Sequence, residues 1–570
     1  MSPRASAMPG SLGHARRLRN AGAFAIALML GTAVCLHELT RPLDVYDEGI
    51  GAAGAFFVTR GLVPYHDFYC IYGFADFYLK AAALLGVGHS LTVTRGVVLA
   101  YHGLCVGVAL LVARRFCRRP SVAWLTPALV APVFDTKCGA AVACVLLAHY
   151  CLMALIVTPR GADGREAQPA SIAIVGRPGR SAALAGAFIG LCAWFRPDLA
   201  VPQYAAFVMF LTICSRGARR LRVGESGSAL GFPAGRAILL MTVASLLIGL
   251  GGYAPFLLRG VEPVWRGLVM LPLQSLPARS LPFPSLASHA VSVHWFAPMM
   301  VAAVALLLLR EMRRLRLPAT EQRARGGIGP DIAGSRRAAL LVALSTLGFM
   351  PYALGRSDDE HQFPALVMAS VLAPWIVESL WSSASRPAVS RGIAIMAVIY
   401  SAACDRLPWN AVMPMYAWRA MWSGTGESLA ASGAARLPLG QPLAQVVNYL
   451  REHTPRDARL FSGLTRHDAV FANDLMVYFL VPRLPAVRDQ HFDPLVTTTA
   501  EVQQRMIDDL ERTRPPLIVL HTLGSFPPPG DRAMAQPHGA TLLDEYLRAH
   551  YRAAAWFGGE YEIWKRRDGP

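Results

Sequence analysis

Charge is scarce in this chain. Only 16% of its 570 residues are Asp, Glu, Lys or Arg, while 54% are hydrophobic and the mean hydropathy is +0.37. Apolar runs of near-spanning length recur along it, which excludes a soluble globular protein and points to a polytopic helical membrane protein. Lysine is almost missing: Lys80, Lys137 and Lys565 are the only ones, and every other basic residue is Arg, a pattern that reads as coding bias. The ten cysteines lie between Cys35 and Cys404 without a CxxC pair, which argues against a zinc site. The region after Cys404 has none and must fold without disulfides; no bridge is expected between Cys70 and Cys138. No stretch ends in the GK[ST] of a phosphate-binding loop, GRPGRSA at 176 included, and no internal repeat is visible. A formal net charge of +18 would raise nucleic acid as a partner for a soluble protein. Here the basic residues sit in short loops between apolar runs, so no nucleic acid is expected.

The chain does have a consistent alternation of spans and loops. Residues 1–20 are polar, with Arg4, Arg16, Arg17 and Arg19, and precede the apolar run AFAIALMLGTAVCL. This reads as a signal anchor with a cytoplasmic N-terminus; a cleaved signal peptide is the alternative, without a clear small-x-small site to support it. Further spans are predicted near 95–113, 121–135, 139–158, 181–195, 199–215, 237–258, 293–310, 338–354, 363–381 and 392–405, with a partly embedded helix at 76–94. The count is about eleven, within a range of ten to thirteen. The stretches RRFCRRP, SRGARRLR and REMRRLRLPATEQRARGG then all fall inside, and the loops near 135, 196, 259–292 and 355 fall outside. One topology satisfies every loop.

Residues 21–405 thus form the membrane domain, with a first outer loop at 39–94. Residues 406–570 are an outer region of mixed polarity. In it QPLAQVVNYLREHTP, EVQQRMIDDLERT and LLDEYLRAHY have helical spacing, and ARLFSG and PPLIVLHT read as buried strands. RAAAWFGGEYEIWKR reads as a hairpin turning at Gly558 and Gly559. The expectation is a small α/β domain.

Three polar clusters carry chemistry, and the topology puts all three on the outer face. The first is in RPLDVYDEGIGAAGAFFVTRGLVPYHDFYCIYGFADFY, residues 41–78, where Asp44, Asp47 and Glu48 open the run and four tyrosines follow. Neighbouring carboxylates at a membrane mouth repel one another, which suits one of them to take a proton. The plainer reading is a helix-capping acidic turn. The second is Phe195-Arg196-Pro197-Asp198, where a guanidinium between spans fits a phosphate in bidentate fashion, or simply pairs with Asp198. The third is Gly355-Arg356-Ser357-Asp358-Asp359-Glu360-His361, able to bind a phosphate, a sugar or a divalent cation, or to serve as a charged turn.

These motifs resemble the GT-C type polytopic glycosyltransferases, the group of the protein O-mannosyltransferases and aminoarabinose transferases. The similarity rests on the DE pair, a small-residue helix and G-x-x-PY-x-D in the first loop, on WFRPD, and on the R-x-x-x-x-H-x-x-P of GRSDDEHQFPAL. It implies Asp47 as catalytic base with Glu48 beside it, and Asp44, Tyr65 and Asp67 supporting the loop or the acceptor. It also implies Arg356 and His361 toward a donor phosphate, beside Arg196 as the candidate clamp read from its own position. Where many relatives read YPPL or YGPL after the tyrosines, this chain reads YGFAD, which adds Asp76 to the region.

The activity implied is transfer of a sugar from a polyprenyl-phosphate donor to a hydroxyl of a glycan, lipid or protein acceptor, with inversion. A lipid carrier suits an outward site, because nucleotide sugars are cytoplasmic. No cofactor is required; a divalent cation such as Mg or Mn is admissible, with Asp358 and Asp359 as candidate ligands. Membrane lipids are the other partner, and a bacterial inner membrane with the C-terminal region outside is the expected location. The rivals are a transporter or lipid flippase, against which the lack of repeats and of paired mid-span acids counts. A non-catalytic scaffold is another rival, and it leaves the DE loop unexplained.

Overall fold

The computed structural model describes residues 9–156, 178–220, 233–285, 293–315, 330–381, 440–522 and 539–568, apart from 42, 359, 470, 471 and 494, together with 391 and 395. The span predicted at 392–405 lies outside these residues except for Ile395, and so does Asp359. The chain divides into two compact units: residues 1–36, 99–252 and 281–414 form the first, and 37–98, 253–280 and 415–570 the second.

Six described helices are long and apolar enough to cross a membrane: Leu91–Phe116, Pro197–Arg216, Ala234–Leu257, Val293–Arg310, Gly334–Gly355 and Glu360–Trp381. Leu18–Val34 and Gly139–Leu155 are shorter apolar helices. The stretch predicted as a span at 121–135 differs. It forms a 3-10 turn, Val122–Trp124, and a six-residue helix, Leu125–Val130. Pro132 follows at once, and a proline has no amide hydrogen with which to continue a helix.

In the first unit the Glu360–Trp381 helix is central, with 83% of its apolar window buried, against 22% for Ala234–Leu257 and 28% for Val293–Arg310. Leu239, Leu246, Leu247 and Leu306 point outward from the last two. Such apolar faces are at home in lipid. Without a hydrophobic drive inside the bilayer, helices associate through close backbone contact over small residues. Gly186 and Gly190 supply it on Pro178–Phe195: a Cβ at Gly190 would lie 2.8 Å from the Ser245 carbonyl oxygen and 2.9 Å from the Gly249 nitrogen. Trp194 fastens the same pair of helices by donating to the Ile248 carbonyl at 2.8 Å.

The second unit holds a four-stranded sheet in the order β1-β2-β4-β3, where β1 is Phe461–Leu464, β2 Leu517–His521, β3 Tyr551–Phe557 and β4 Tyr561–Arg566. Strands β1 and β2 are parallel, which requires a crossover, and the Ala500–Thr513 helix lies on it. Its amphipathic sequence buries Val502, Met506 and Leu510 against Phe461 and Ile518. Each such side chain contributes roughly 1.5–3 kcal/mol by leaving water. The β3–β4 hairpin turns through three residues, Gly558, Gly559 and Glu560, with the two glycines at φ 58 and 71 in the left-handed region that glycine adopts without strain. The Gln441–His453 helix ends just before Thr454-Pro455, since the residue ahead of a proline prefers extended backbone. These are the elements read from the sequence.

Also in this unit, the first loop is ordered by two short helices, Asp47–Thr59 and Ala75–Val87. Phe57 packs edge-on against Phe68 and Tyr478. A Cβ at Gly49 would meet the Met476 nitrogen at 2.8 Å, so the small residues after the DE pair are what let this helix approach the Met476–Leu480 helix.

Candidate active site

Both units hold residues singled out from the sequence. In the second unit, Asp47 is the first residue of its helix, partly exposed. The Asp44 carboxylate accepts the amides of Tyr46 at 3.0 Å and Asp47 at 2.9 Å, so it caps the acidic turn. Glu48 is committed elsewhere. Arg95 grips it at two points, Nε to Oε1 at 2.5 Å and Nη2 to Oε2 at 2.8 Å, with both side chains more than nine-tenths buried. Arg95 also donates to the Leu39 and Arg41 carbonyls, which ties the DE pair to the chain entering the loop. The two adjacent acids therefore divide: the Glu48 side chain is a buried anchor, and Asp47 is half-buried at the start of the helix.

Tyr65 and Asp67 shape the loop. Tyr65 is buried in a left-handed backbone conformation, φ 71, and its hydroxyl donates to the Tyr72 carbonyl at 2.8 Å. Asp67 accepts the Val63 amide at 2.8 Å and closes the turn around it. Asp76 pairs with the buried Lys80 at 2.7 Å, and Lys80 Nζ lies over Gly51, one helical turn beyond Asp47.

In the first unit the structure gathers three separate loops into one cluster. Arg196 is buried and donates to both oxygens of Asp198, at 2.9 and 2.6 Å, while Nη1 reaches Tyr352 Oη at 3.3 Å and Cys138 Sγ at 3.2 Å. Tyr352 in turn lies against the His361 ring, centroids 4.8 Å apart. His361 Nδ1 is 2.6 Å from Asp358 Oδ1, whose other oxygen takes Arg356 Nε at 2.7 Å. Burial would raise the Asp358 carboxyl, but the side chain and amide of His361, with Arg356, hold it well below the usual carboxylate range. Arg196, Arg356 and His361 are thus within one network, as are Lys137 and Glu360, paired at 2.9 Å.

Asp135 and Lys137 were not singled out from the sequence beyond marking a loop. Asp135 is buried; Oδ2 accepts the amides of Lys137 and Cys138, and Oδ1 has no hydrogen-bond partner among the described residues. Burial first, and then Glu360, push its carboxyl above the ordinary range. The signal was an Asp-x-Lys between apolar runs in a chain with three lysines. Arg95 and Tyr352 gave no signal, since their partners are 47 and 156 residues away.

Both Asp358 oxygens are engaged by Arg356 and His361, and among the described residues no three His, Cys, Asp or Glu side chains are grouped to hold a metal ion. Among the described cysteines, Cys70 and Cys138 included, none is in a disulfide.

No family model and no curated protein matches the sequence. Solved structures do. ArnT from Cupriavidus metallidurans bound to undecaprenyl phosphate superposes with a TM-score of 0.52 at 13% identity, covering 96% of this chain and 99% of that one. The same protein in the apo state gives 0.53 at 12%, covering 96% and 98%. The Archaeoglobus fulgidus oligosaccharyltransferase gives 0.48 at 12%, over 94% of this chain and 73% of that one. The chain therefore shares the fold of ArnT, a fold of the kind that the motifs' resemblance to the GT-C glycosyltransferases implied. The likeness to ArnT runs along nearly the whole chain.

Proposed function

We propose that this protein is a membrane glycosyltransferase that moves a sugar from a polyprenyl-phosphate donor to an acceptor hydroxyl on the extracytoplasmic face. The observation that carries the reading is the whole-chain likeness to an enzyme crystallised with undecaprenyl phosphate, ArnT. The divided DE pair supports it: a buried Arg95–Glu48 anchor holds Asp47 at the start of its helix.

In this mechanism Asp47 takes the proton of the acceptor hydroxyl, whose oxygen bonds to the anomeric carbon. The bond from that carbon to the phosphate oxygen breaks through an oxocarbenium-like state, and the electron pair leaves with the lipid phosphate. A single displacement inverts the anomeric centre. Arg356, with Arg196 and His361, receives the phosphate. Donors fixed in advance by carboxylate partners need little reorganisation as charge develops, which is the efficient form of electrostatic catalysis. Asp44, Tyr65 and Asp67 hold the loop, and the C-terminal α/β region faces the same outer space. The setting is a bacterial inner membrane with the N-terminus inside.

The test is a label-transfer assay. Membranes carrying the protein are supplied with radiolabelled polyprenyl-phosphate sugars, and label should move into an acceptor fraction. Arg356→Ala should lower that transfer by roughly a hundredfold, the usual cost of deleting a group that stabilises developing charge. Transfer unaffected by Arg356→Ala would remove the phosphate role, and absence of transfer with every donor and acceptor supplied would count against the reading itself.

A further inference from the structure

Within the second unit, a buried polar cluster joins the residue before the proposed base to the C-terminal region. The Tyr46 hydroxyl lies 2.9 Å from the Phe492 carbonyl oxygen, 3.2 Å from Asp493 Oδ1 and 2.9 Å from His491 Nε2. The Tyr69 hydroxyl donates to the other Asp493 oxygen at 3.1 Å. His491 and Asp493 are 1% and 0% exposed. A carboxylate buried this deeply is costly unless it accepts hydrogen bonds, and here a loop tyrosine hydroxyl lies within reach of each of its oxygens.

The cluster is anchored on the sheet side as well. Asn473 donates to the Ser462 carbonyl in β1 and to the Gln490 carbonyl, both at 2.8 Å, and accepts the Phe492 amide. Gln490 clasps the Tyr69 backbone through both amide atoms at 3.0 Å. The Leu475 and Met476 amides both donate to the Val45 carbonyl at 3.1 Å. Residues 45 and 46 are therefore fixed by the C-terminal region, and Asp47 follows directly.

We propose that Asp493, assisted by His491, is a positioning residue for Asp47: through Tyr46 and Tyr69 it sets the start of the acidic helix. The C-terminal region is then a working part of the catalytic apparatus. This rests on the transferase reading given above.

The test combines hydrogen–deuterium exchange with kinetics on the full-length protein in detergent. Tyr46→Phe and Asp493→Ala should each raise deuterium uptake in peptides spanning 44–50 and leave the Ala500–Thr513 helix unchanged. Each should lower kcat roughly ten- to hundredfold, as expected for a small displacement of a catalytic group, with the donor KM within about twofold. The double variant should be no worse than the stronger single one, because both cut the same connection. Asp493→Asn, which keeps one acceptor oxygen, should recover part of kcat. Unchanged uptake at 44–50, additive losses, or uptake spreading through the 500–513 helix would overturn the proposal. If wild type transfers no sugar, the transferase reading falls, and the uptake measurement still decides whether Asp493 positions residues 44–50.

Discussion

Glu48 and Asp47 are chemically near-identical neighbours, and Glu48 is the one that Arg95 grips. Removing one partner of a buried ion pair leaves the other charge stranded, at about 3–5 kcal/mol. Arg95→Gln should therefore lower the thermal midpoint in detergent markedly, because Arg95 and Glu48 are 5% and 8% exposed. A midpoint equal to wild type would contradict the anchor. A second residue gives a pH signature. Burial raises the Asp474 carboxyl to about 6, outweighing the Tyr561 hydroxyl and the Val477 and Met476 amides that work to lower it. Between roughly pH 4 and 6 the folded state holds a proton that the unfolded chain has released. Stability from this group is full below pH 4 and lost as pH rises through 6, by about 3 kcal/mol at most. Asp474→Asn should flatten the thermal midpoint across that window relative to wild type. At this scale the sequence displayed the acids but not their division, since Arg95, His491 and Asp493 approach the DE turn only in the folded chain.

The elements were more legible. Hydrophobic periodicity and Pro455 mark helices and their ends locally, and the paired glycines mark the hairpin, so each signal lies within a few residues of its effect. The stretch 121–135 misled because its apolar content is that of a span while Pro132 interrupts it. Helix packing was not legible: nothing in GAFIG says which backbone it meets. Gly190→Leu would drive a side chain into Ser245 and Gly249, and such overpacking costs about 1–3 kcal/mol. A lower midpoint, measured by heating in detergent, is the expected outcome.

For the whole molecule, the arginine-rich loops set the predicted sidedness, and the fold match extends over 96% of the chain. The polar groups of three loops near 135, 196 and 358 do come together in the first unit, which their separate sequences only hinted at. Sidedness has a direct check. Trp556 is 64% exposed on β3, whereas the described cysteines are buried or half-buried. Trp556→Cys should react with a membrane-impermeant maleimide in intact spheroplasts; labelling only after lysis would reverse the topology.

The central claim is that Asp47 is the base of a lipid-linked sugar transfer. The measurement that tests it most directly is transfer of label from polyprenyl-phosphate sugar by wild type and Asp47→Asn at equal membrane expression. Asp47→Asn should lose roughly a hundredfold or more, the usual worth of a general base. Equal transfer by the two proteins would contradict it.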